Sequence, residues 1–170
     1  PDEFFTACDS LGILVWQDFM FACSMYPWDN DFINNVTIEA TEQVQRLRKH
    51  TSLALWCGNN EIEEGWHNWG WQAEVADSIS IVETWEGYQK LFQKVLPDVI
   101  KQCDSTRFYW PSSPQFGWGT DESLDHGDSH YWGVWWGKEP FSKYRFRIPR
   151  FMSEFGIQGY PNISSIEKFG

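Results

Sequence analysis

Two glutamates in this 170-residue chain are each carried by a short apolar run. Glu61 closes the segment LWCGNNE at residues 55–61, and Glu154 lies in the segment RFMSEFG at residues 150–156. Apolar runs of this length are typical of strands buried in a parallel sheet. Carboxyl groups at the ends of neighbouring strands can work as a pair, one as acid and one as nucleophile or base. Glycoside hydrolysis requires such a pair.

The surroundings of Glu61 favour a role as proton donor. Asn60 precedes it, and the Trp-rich run EGWHNWGW follows at residues 64–71. The simpler interpretation is a solvated loop residue or a helix cap, because charged side chains are mostly exposed. The position at a strand end beside Asn60 favours the catalytic interpretation.

Glu154 has apolar neighbours at residues 151, 152 and 155, and this setting indicates the nucleophile. A carboxylate among apolar side chains needs polar partners to stay ionised. The alternative is a glutamate in a structural ion pair. The candidate partners are Arg147, Arg150 and the hydroxyl of Tyr131.

Other clusters of reactive side chains carry weaker signals. The run DHGDSH at residues 125–130 lacks the ligand spacing of a zinc site, so we expect it to bond sugar hydroxyls or neighbouring loops and to bind no metal. The four cysteines show neither CxxC nor zinc spacing, which predicts buried free thiols, with a Cys8–Cys23 disulfide as the alternative. Cys57 and the serines at 112 and 113 lack the setting of an activated nucleophile.

Composition narrows the classes of function. Aromatic residues make up 18% of the chain and include 12 Trp. Aromatic rings fill cores because they bury large areas, but flat rings also stack on sugars, and several Trp fall in loop-like stretches. The net charge of −11 without a basic patch argues against nucleic-acid binding. No apolar run reaches the roughly 18 residues of a membrane span.

Alternating strands and helices would position these residues. Helical periodicity predicts helices at residues 31–49, capped by Asp29 or Asn30, and at residues 84–103, kinked or broken at Pro97. The alternation predicts an α/β fold with a parallel sheet. Polar loops after the strands are typical of a (β/α)8 TIM barrel. Strands are predicted at residues 11–16, 52–57, 107–110, 129–132 and 150–154, and long loops at residues 62–82 and 115–144.

Several motifs resemble glycoside hydrolase family 2. The segment SLALWCGNNE at residues 52–61 is similar to the acid/base motif of that family, and FMSEFG at residues 151–156 is similar to its nucleophile motif. The segment WQDFMFAC at residues 16–23 and the Trp-rich run at residues 64–71 resemble the β-mannosidase branch, in particular its animal lysosomal members. The resemblance extends over nearly the whole chain.

The resemblance implies a fold and a set of residue roles. Residues 1–170 would be a fragment of a catalytic domain, a partial (β/α)8 TIM barrel from about strand 3 to strand 7. Glu61 would be the acid/base at the end of the fourth strand, and Glu154 the nucleophile at the end of the seventh. Asn60 would hydrogen-bond the sugar 2-hydroxyl. The other implied substrate-binding residues are Trp16, Asp18, Trp66, Trp69, His130 and Tyr131.

The activity implied by the resemblance is retaining hydrolysis of terminal, non-reducing β-D-mannose through a covalent glycosyl-enzyme. The substrate would be an oligosaccharide or a glycoprotein-derived glycan, and no cofactor would be needed. Retention requires the two carboxyl groups to lie about 5–5.5 Å apart. Two alternatives stay open. One is a sister specificity, such as β-galactosidase, β-glucuronidase or exo-glucosaminidase, and the other is a non-catalytic carbohydrate-binding protein.

The family pattern also includes parts that this sequence lacks. Family members add the first, second and eighth barrel strands and β-sandwich domains. Open sheet edges and uncovered apolar faces therefore predict that the chain alone folds poorly and is inactive. Sequons at Asn35 and Asn162 would carry glycans in a secreted protein. The resemblance to lysosomal enzymes implies delivery to the lysosome through the secretory pathway.

Overall fold

Parallel strands and helices make up both parts of this chain. The computed structural model describes residues 1–116, 120, 122–157 and 159–169, so parts of the predicted loop at 115–144 lie outside the described residues. The chain divides into two units, Pro1–Gln115 and Phe116–Gly170. The first contains a three-stranded parallel sheet and the second a two-stranded one. These sheets confirm the predicted α/β class.

The first unit begins with a helix that the sequence analysis missed. Helix α1 spans Asp2–Leu11 and ends where Gly12 adopts a φ of 68°, which glycine tolerates because it has no Cβ. Strand β1 follows at Val15–Asp18. The strand predicted at residues 11–16 is therefore wrong in its first half, because Gly12 closes a helix and the next residues are an exposed connection.

Helix α2 spans Asn30–Leu47, close to its prediction. Its N-cap is Asp29, whose carboxylate accepts hydrogen bonds of 3.0 Å from the backbone N–H groups of Asp31 and Phe32. These bonds satisfy amide groups that have no partner inside the helix. The face that packs into the core repeats every three or four residues, as predicted. It consists of Ile33, Val36, Ala40, Val44 and Leu47.

The sheet of the first unit aligns the carboxyl ends of its strands. Strand β2 spans Leu53–Cys57 and lies between β1 and β3, which spans Phe108–Trp110. Cys57 pairs with Asp18 on one side and with Trp110 on the other. The residues that follow these three strands therefore meet at one edge of the sheet. The strands predicted at residues 52–57 and 107–110 are confirmed.

Helical structure occupies most of the predicted loop at residues 62–82. Helix α3 spans Ile62–Asn68, a 3₁₀ turn spans Trp71–Glu74, and helix α4 spans Ser78–Gln89. The loop prediction is wrong for most of this range. Helix α3 buries a short apolar face, which could not be recognised in a sequence rich in Glu and Trp. That face consists of Ile62, Gly65 and Trp66.

Pro97 does not break the second long helix. Helix α4 continues through a π-helical segment, Lys90–Val95, into helix α5 at Leu96–Cys103. The backbone N–H of Leu96 donates to the carbonyl of Leu91, one residue farther back than in an α-helix. Proline has no N–H and crowds the preceding turn, and a wider turn directly before Pro97 accommodates both constraints.

One apolar cluster joins the sheet of the first unit to α1, α2, the π-helical segment and α5. Trp56 of β2 is fully buried in it, with the ring of Phe19 stacked at 5.6 Å. The indole N–H of Trp56 donates to Asp104 over 2.9 Å, and Asp104 is paired with Arg107. A buried indole needs such an acceptor. For Trp56 the core interpretation is therefore confirmed.

The second unit holds the second glutamate motif. Helix α6 spans Glu122–Asp125, strand β4 spans Ser129–Tyr131, and strand β5 spans Met152–Phe155. A 3₁₀ turn at Phe141–Arg145 lies between the strands, and helix α7 spans Ile163–Phe169. Strands β4 and β5 pair in parallel. Both predicted strands of this region are confirmed, with β5 displaced toward the carboxyl end.

None of the four cysteines forms a disulfide, so the alternative of a Cys8–Cys23 disulfide is not realised. Cys8 and Cys57 are buried and Cys103 is half-buried, whereas Cys23 is exposed. The prediction of buried thiols is therefore wrong for Cys23. In the described part of the chain, no helix combines the length and the apolar character needed to cross a membrane.

Candidate active site

The turn after β2 lies between the ends of the two neighbouring strands. Asn60 forms parallel bridges to Ala22 on one side and to Ser113 on the other. Its backbone N–H donates to the carbonyl of Phe21, and its carbonyl accepts from the N–H of Cys23, both at 2.9 Å. These isolated bridges lie beyond the ends of the three strands and fix Asn60 at the carboxyl edge of the sheet.

Glu61 has an uncommon backbone conformation, with a φ of 59° and a ψ of 16°. Its N–H donates to the carbonyl of Ser113 over 2.8 Å, and its carbonyl accepts from the N–H of Gly65 as α3 begins. Left-handed conformations of residues with a side chain are costly and cluster at functional sites. This conformation supports a functional role for Glu61.

The structure does not support the helix-cap interpretation of Glu61. Glu61 occupies the N-cap position of α3. All residues of this helix are described by the structure, and none of its backbone N–H groups donates a capping hydrogen bond to the Glu61 side chain. Asn59 provides the cap instead, because its Oδ1 accepts from the N–H of Ile62 over 3.2 Å. Glu61 is half-buried.

A thiol lies beside the carboxyl group of Glu61. The Sγ atom of Cys23 donates to Glu61 Oε2 over 3.5 Å, and the amide nitrogen of Asn60 lies 3.8 Å from the same Sγ. Cys23 also has a positive φ, 47°. The sequence analysis considered Cys23 only as a thiol or disulfide partner and did not place it in the site, although it lies at the end of the segment WQDFMFAC that resembles the β-mannosidase branch.

A buried polar network centred on Asn59 supports the turn that follows β2. The amide nitrogen of Asn59 donates to the carbonyl of Pro111 over 2.9 Å and to the hydroxyl of Tyr88 over 3.4 Å. The hydroxyl of Tyr88 in turn donates to Glu63 over 2.9 Å. Burial raises the pKa of Glu63, and the hydrogen bond from Tyr88 offsets part of that rise. Burial also raises the pKa of Tyr88, as does the nearby Glu63 carboxylate.

Trp16 and Asp18 are linked at the end of β1. The indole N–H of Trp16 donates to Asp18 Oδ1 over 2.7 Å, and both side chains are half-buried. The two residues are neighbours because side chains two positions apart in a strand point to the same face. Their strand ends at the edge where Asn60 and Glu61 follow β2.

Trp66 and Trp69, which the resemblance implies to be substrate-binding residues, differ in exposure. Trp66 is 3% exposed, and its ring stacks on that of Trp85 at 6.2 Å with an angle of 8°. Trp69 is 46% exposed and meets the ring of Trp71 edge-on at 5.8 Å. A cavity of about 610 Å³ is bordered by Trp66 and by Cys23, the residue that contacts Glu61. Aromatic rings at Trp28 and Trp71 form other parts of its wall.

In the second unit, Glu154 lies opposite His130. The parallel register of β4 and β5 pairs these two residues, and His130 Nδ1 lies 3.5 Å from Glu154 Oε2. The indole N–H of Trp132 donates to the same carboxylate oxygen over 3.3 Å. Glu154 is thus held by a buried imidazole and a half-buried indole. The sequence analysis named His130 but missed Trp132, which directly follows β4.

His130 lies between two carboxylates. Its Nε2 atom is 3.7 Å from Asp128 Oδ2, and Asp128 accepts a 2.6 Å hydrogen bond from the hydroxyl of Ser153. Asp128 and His130 are both fully buried. Because Ser153 directly precedes Glu154, this chain of contacts joins β4 to β5 beside the proposed nucleophile. It also links neighbouring segments, as expected for the run at residues 125–130.

The candidate partners of Glu154 from the sequence have other contacts. Tyr131 is buried and its hydroxyl donates to Glu139, while the guanidinium of Arg147 lies 5.9 Å from the Tyr131 ring centre. Desolvation and the Glu139 carboxylate raise the pKa of Tyr131 to about 12. Arg150 donates to the carbonyl of Asp125 over 3.4 Å.

The asparagines of both sequons are exposed. Asn35 lies on α2, where the hydroxyl of Thr37 donates to the carbonyl of Ile33 over 2.7 Å. Asn162 precedes α7, and its Oδ1 accepts from the backbone N–H of Ser165 over 2.9 Å. Attachment of a glycan at either position would not require a buried side chain to be displaced.

Known proteins similar to this chain include two curated β-mannosidases. β-Mannosidase B of Neosartorya fischeri is 36% identical over 174 residues, which cover 99% of this chain and 20% of that protein. β-Mannosidase of Bos taurus is 36% identical over 184 residues, covering 98% of the chain and 20% of that protein. The chain therefore spans about a fifth of the length of these relatives. No family model matches it.

A solved structure agrees with these relatives. The crystal structure of β-D-mannosidase from Dictyoglomus thermophilum matches the chain with a TM-score of 0.82 and 44% sequence identity. The match covers 99% of this chain and 20% of that one. The resemblance of the motifs to those of β-mannosidases is thereby confirmed.

Proposed function

We infer that this chain, a homologue of one segment of the β-mannosidases, forms the central part of the catalytic domain of a larger glycoside hydrolase. The enzyme would be a retaining exo-glycosidase that removes terminal, non-reducing β-D-mannose from oligosaccharides. One observation carries this proposal. Glu61 and Glu154 each lie at the carboxyl end of a strand in a parallel sheet, where barrel enzymes place their catalytic groups.

The proposed mechanism has two steps. The Glu154 carboxylate attacks the anomeric carbon while the glycosidic bond breaks, and Glu61 gives its proton to the departing oxygen. A covalent mannosyl ester of Glu154 results. Glu61, now ionised, takes a proton from water, which displaces Glu154 and releases mannose with its configuration retained. Glu61 and water carry every proton while Glu154 is either ionised or esterified, so the scheme needs no cofactor.

The contacts of each glutamate support its proposed role. The indole N–H of Trp132 fixes one oxygen of Glu154, which supports attack from a constrained carboxylate. Asn60 is fixed by backbone bonds beside Glu61 and is proposed to bond the sugar 2-hydroxyl. The hydrogen-bonded pair Trp16 and Asp18 is proposed to hold the terminal sugar. Further substrate contacts are proposed for Trp66, Trp69, His130 and Tyr131.

Exposed apolar surface supports the proposal that the chain is part of a barrel, from about strand 3 to strand 7. Strand β1 is an edge of its sheet, and an edge strand presents unpaired backbone groups. Large apolar patches on soluble proteins mark surfaces that another element covers. Large apolar side chains that are at least half exposed include Leu11, Ile13, Leu14, Met20, Phe146, Ile148, Phe151 and Phe155.

The decisive test uses Glu154→Gln in the full-length enzyme. Removing the nucleophile should lower kcat on an aryl β-mannoside by about 10³-fold or more, whereas Glu167→Gln, an exposed change on α7, should have no effect. Proton NMR of the first product should show the β-anomer if the configuration is retained. Unchanged turnover in Glu154→Gln would refute the assignment. Release of the α-anomer would refute the retaining mechanism.

The specificity is tested with a panel of nitrophenyl glycosides on the same enzyme. We expect the highest kcat/KM for the β-mannoside. Faster hydrolysis of the β-galactoside, β-glucuronide or N-acetylglucosaminide would replace the proposal with a sister specificity. A crystal structure of the enzyme should show the two catalytic carboxyl groups about 5–5.5 Å apart.

The second candidate function is non-catalytic carbohydrate binding. Exposed indole rings favour it, since Trp28, Trp69 and Trp136 can offer a flat face to a sugar. Glu154→Gln separates the two functions, because a binding protein would keep its affinity and would have no turnover to lose. Measured turnover by the unaltered protein would reject this candidate.

The proposed site of action is the lysosome, reached through the secretory pathway. The exposed asparagines of the two sequons, Asn35 and Asn162, support this proposal. Removal of N-glycans should increase the electrophoretic mobility of the protein, and Asn35→Gln with Asn162→Gln should reduce that shift. Fractionation that leaves the protein in the cytosol would contradict the proposal.

A further inference from the structure

Cys23 and Glu61 are 38 residues apart in sequence, yet the Cys23 thiol donates to the Glu61 carboxylate. Backbone hydrogen bonds hold the two segments that carry this contact. The backbone N–H of Cys23 donates to the Asn60 carbonyl, and the Asn60 N–H donates to the Phe21 carbonyl, so two 2.9 Å bonds fix the segment after β1 beside the turn after β2.

The backbone at both ends of the contact is uncommon. Cys23 and Glu61 have φ angles of 47° and 59°, in the region that residues with side chains seldom adopt. Such conformations are costly and persist only where the surroundings impose them. Together they turn the two side chains toward each other across the edge of the sheet.

We propose that Cys23 is a positioning residue for Glu61. Its S–H group holds Oε2 and so sets the direction in which the Glu61 carboxyl group faces the departing oxygen. This inference rests on the function proposed for Glu61. A thiol is a weak donor, and at 3.5 Å it restrains the rotation of the carboxyl group without binding it tightly. Glu61 can therefore still release and regain its proton.

A positioning role for Cys23 predicts a loss of activity that depends on the substrate, which a general loss of structure would not produce. Substrates with a poor leaving group need proton transfer from Glu61, whereas 2,4-dinitrophenolate departs without a proton. Misplacing the acid should therefore slow hydrolysis of mannobiose and leave hydrolysis of 2,4-dinitrophenyl β-mannoside almost unchanged. General acid catalysis increases reaction rates about 10²–10⁴-fold, and a misplaced acid retains part of this rate enhancement. We expect about a tenfold selective loss.

The experiment compares Cys23→Ala, Cys23→Ser and Cys103→Ala in the full-length enzyme. Cys23→Ala should lower kcat/KM for mannobiose about tenfold, with less than a twofold change for the dinitrophenyl substrate. Cys23→Ser, which keeps a donor, should recover most of the loss. Cys103→Ala alters a half-buried thiol at the end of α5 and should change neither rate. Equal losses on both substrates, or no loss, would overturn the proposal.

Chemical modification keeps the test valid if a variant fails to fold. Methyl methanethiosulfonate should convert the exposed Cys23 thiol of the unaltered enzyme to a methyl disulfide, with loss of methanesulfinate. The same selective loss of mannobiose hydrolysis should appear, dithiothreitol should reverse it, and Cys23→Ser should resist it. Modification without that selective loss would reject the positioning role.

Glu61→Ala separates this inference from the proposed function. If Glu61→Ala shows the selective loss and Cys23→Ala does not, only the positioning role fails. If Glu61→Ala hydrolyses mannobiose at the normal rate, the role proposed for Glu61 itself fails.

Discussion

The indole N–H of Trp132 donates to Oε2 of Glu154 over 3.3 Å. Trp132 is the first residue after β4, and Glu154 lies on the paired strand β5. His130 Nδ1 lies 3.5 Å from the same oxygen, so two side chains of one strand end converge on a single carboxylate oxygen. This convergence constrains the carboxylate that we propose as the nucleophile.

Trp132→Phe should lower kcat/KM for the aryl β-mannoside about tenfold in the full-length enzyme. A hydrogen bond to a charged group is worth about 1.5–3 kcal/mol, and phenylalanine fills similar space without the N–H. Trp136→Phe is the matched control, because Trp136 is 76% exposed and should be neutral. Steady-state kinetics would measure both variants. Equal rates for the two variants would show that the Trp132 contact is not functional.

Gly58→Ala should destabilise the enzyme by about 1–3 kcal/mol through overpacking. Gly58 lies directly after β2, and a Cβ there would collide with the carbonyl oxygen of Pro111 and the hydroxyl of Tyr109. Gly159→Ala is the control, since that position is open. Thermal unfolding of the full-length enzyme would measure the change. A melting temperature equal to that of the control would contradict the close approach at Gly58.

Tyr88→Phe should destabilise the enzyme more at pH 7 than near pH 4.5. The change removes the hydroxyl that donates to Glu63, so the half-buried Glu63 carboxylate loses its donor, at a cost of about 1–3 kcal/mol. Burial raises the pKa of Glu63 in the folded state above its value in the unfolded chain, and loss of the donor raises it further. The folded variant therefore binds more protons, and its stability rises as the pH falls through that range.

Melting temperatures at the two pH values would measure this effect of Tyr88→Phe. Tyr160→Phe serves as the control, because Tyr160 is exposed in the second unit. An equal decrease at both pH values would mean that the ionisation of Glu63 does not contribute. In that case only the packing around Tyr88 would account for the loss.

The isolated chain should show neither hydrolysis nor cooperative unfolding. Its edge strand β1 and its exposed apolar side chains, such as Leu14 and Phe146, would favour association in water. Circular dichroism during heating and an aryl β-mannoside assay on the purified chain would test this. A sharp unfolding transition together with turnover would show that the chain is a self-sufficient enzyme.

Local pattern was enough to place most of the strands and helix α2. Residues close together in the sequence are enough to predict the strand before Gly58, the buried face of α2 and the cap at Asp29. Helix α3 was missed because its buried face is only a few residues long and its composition resembles a loop. Helix α1 was missed because the adjoining apolar run at residues 11–16 reads as a strand, whereas Gly12 ends the helix there.

The sequence by itself determined which carboxyl groups stand at strand ends, because strand length and the residues that close a strand are local properties. Tertiary structure alone decided what touches those groups. Cys23 meets Glu61 because the register between β1 and β2 brings their ends together, and Trp132 meets Glu154 because β4 pairs with β5. Register depends on residues far apart in the chain, so no local pattern encodes these two contacts.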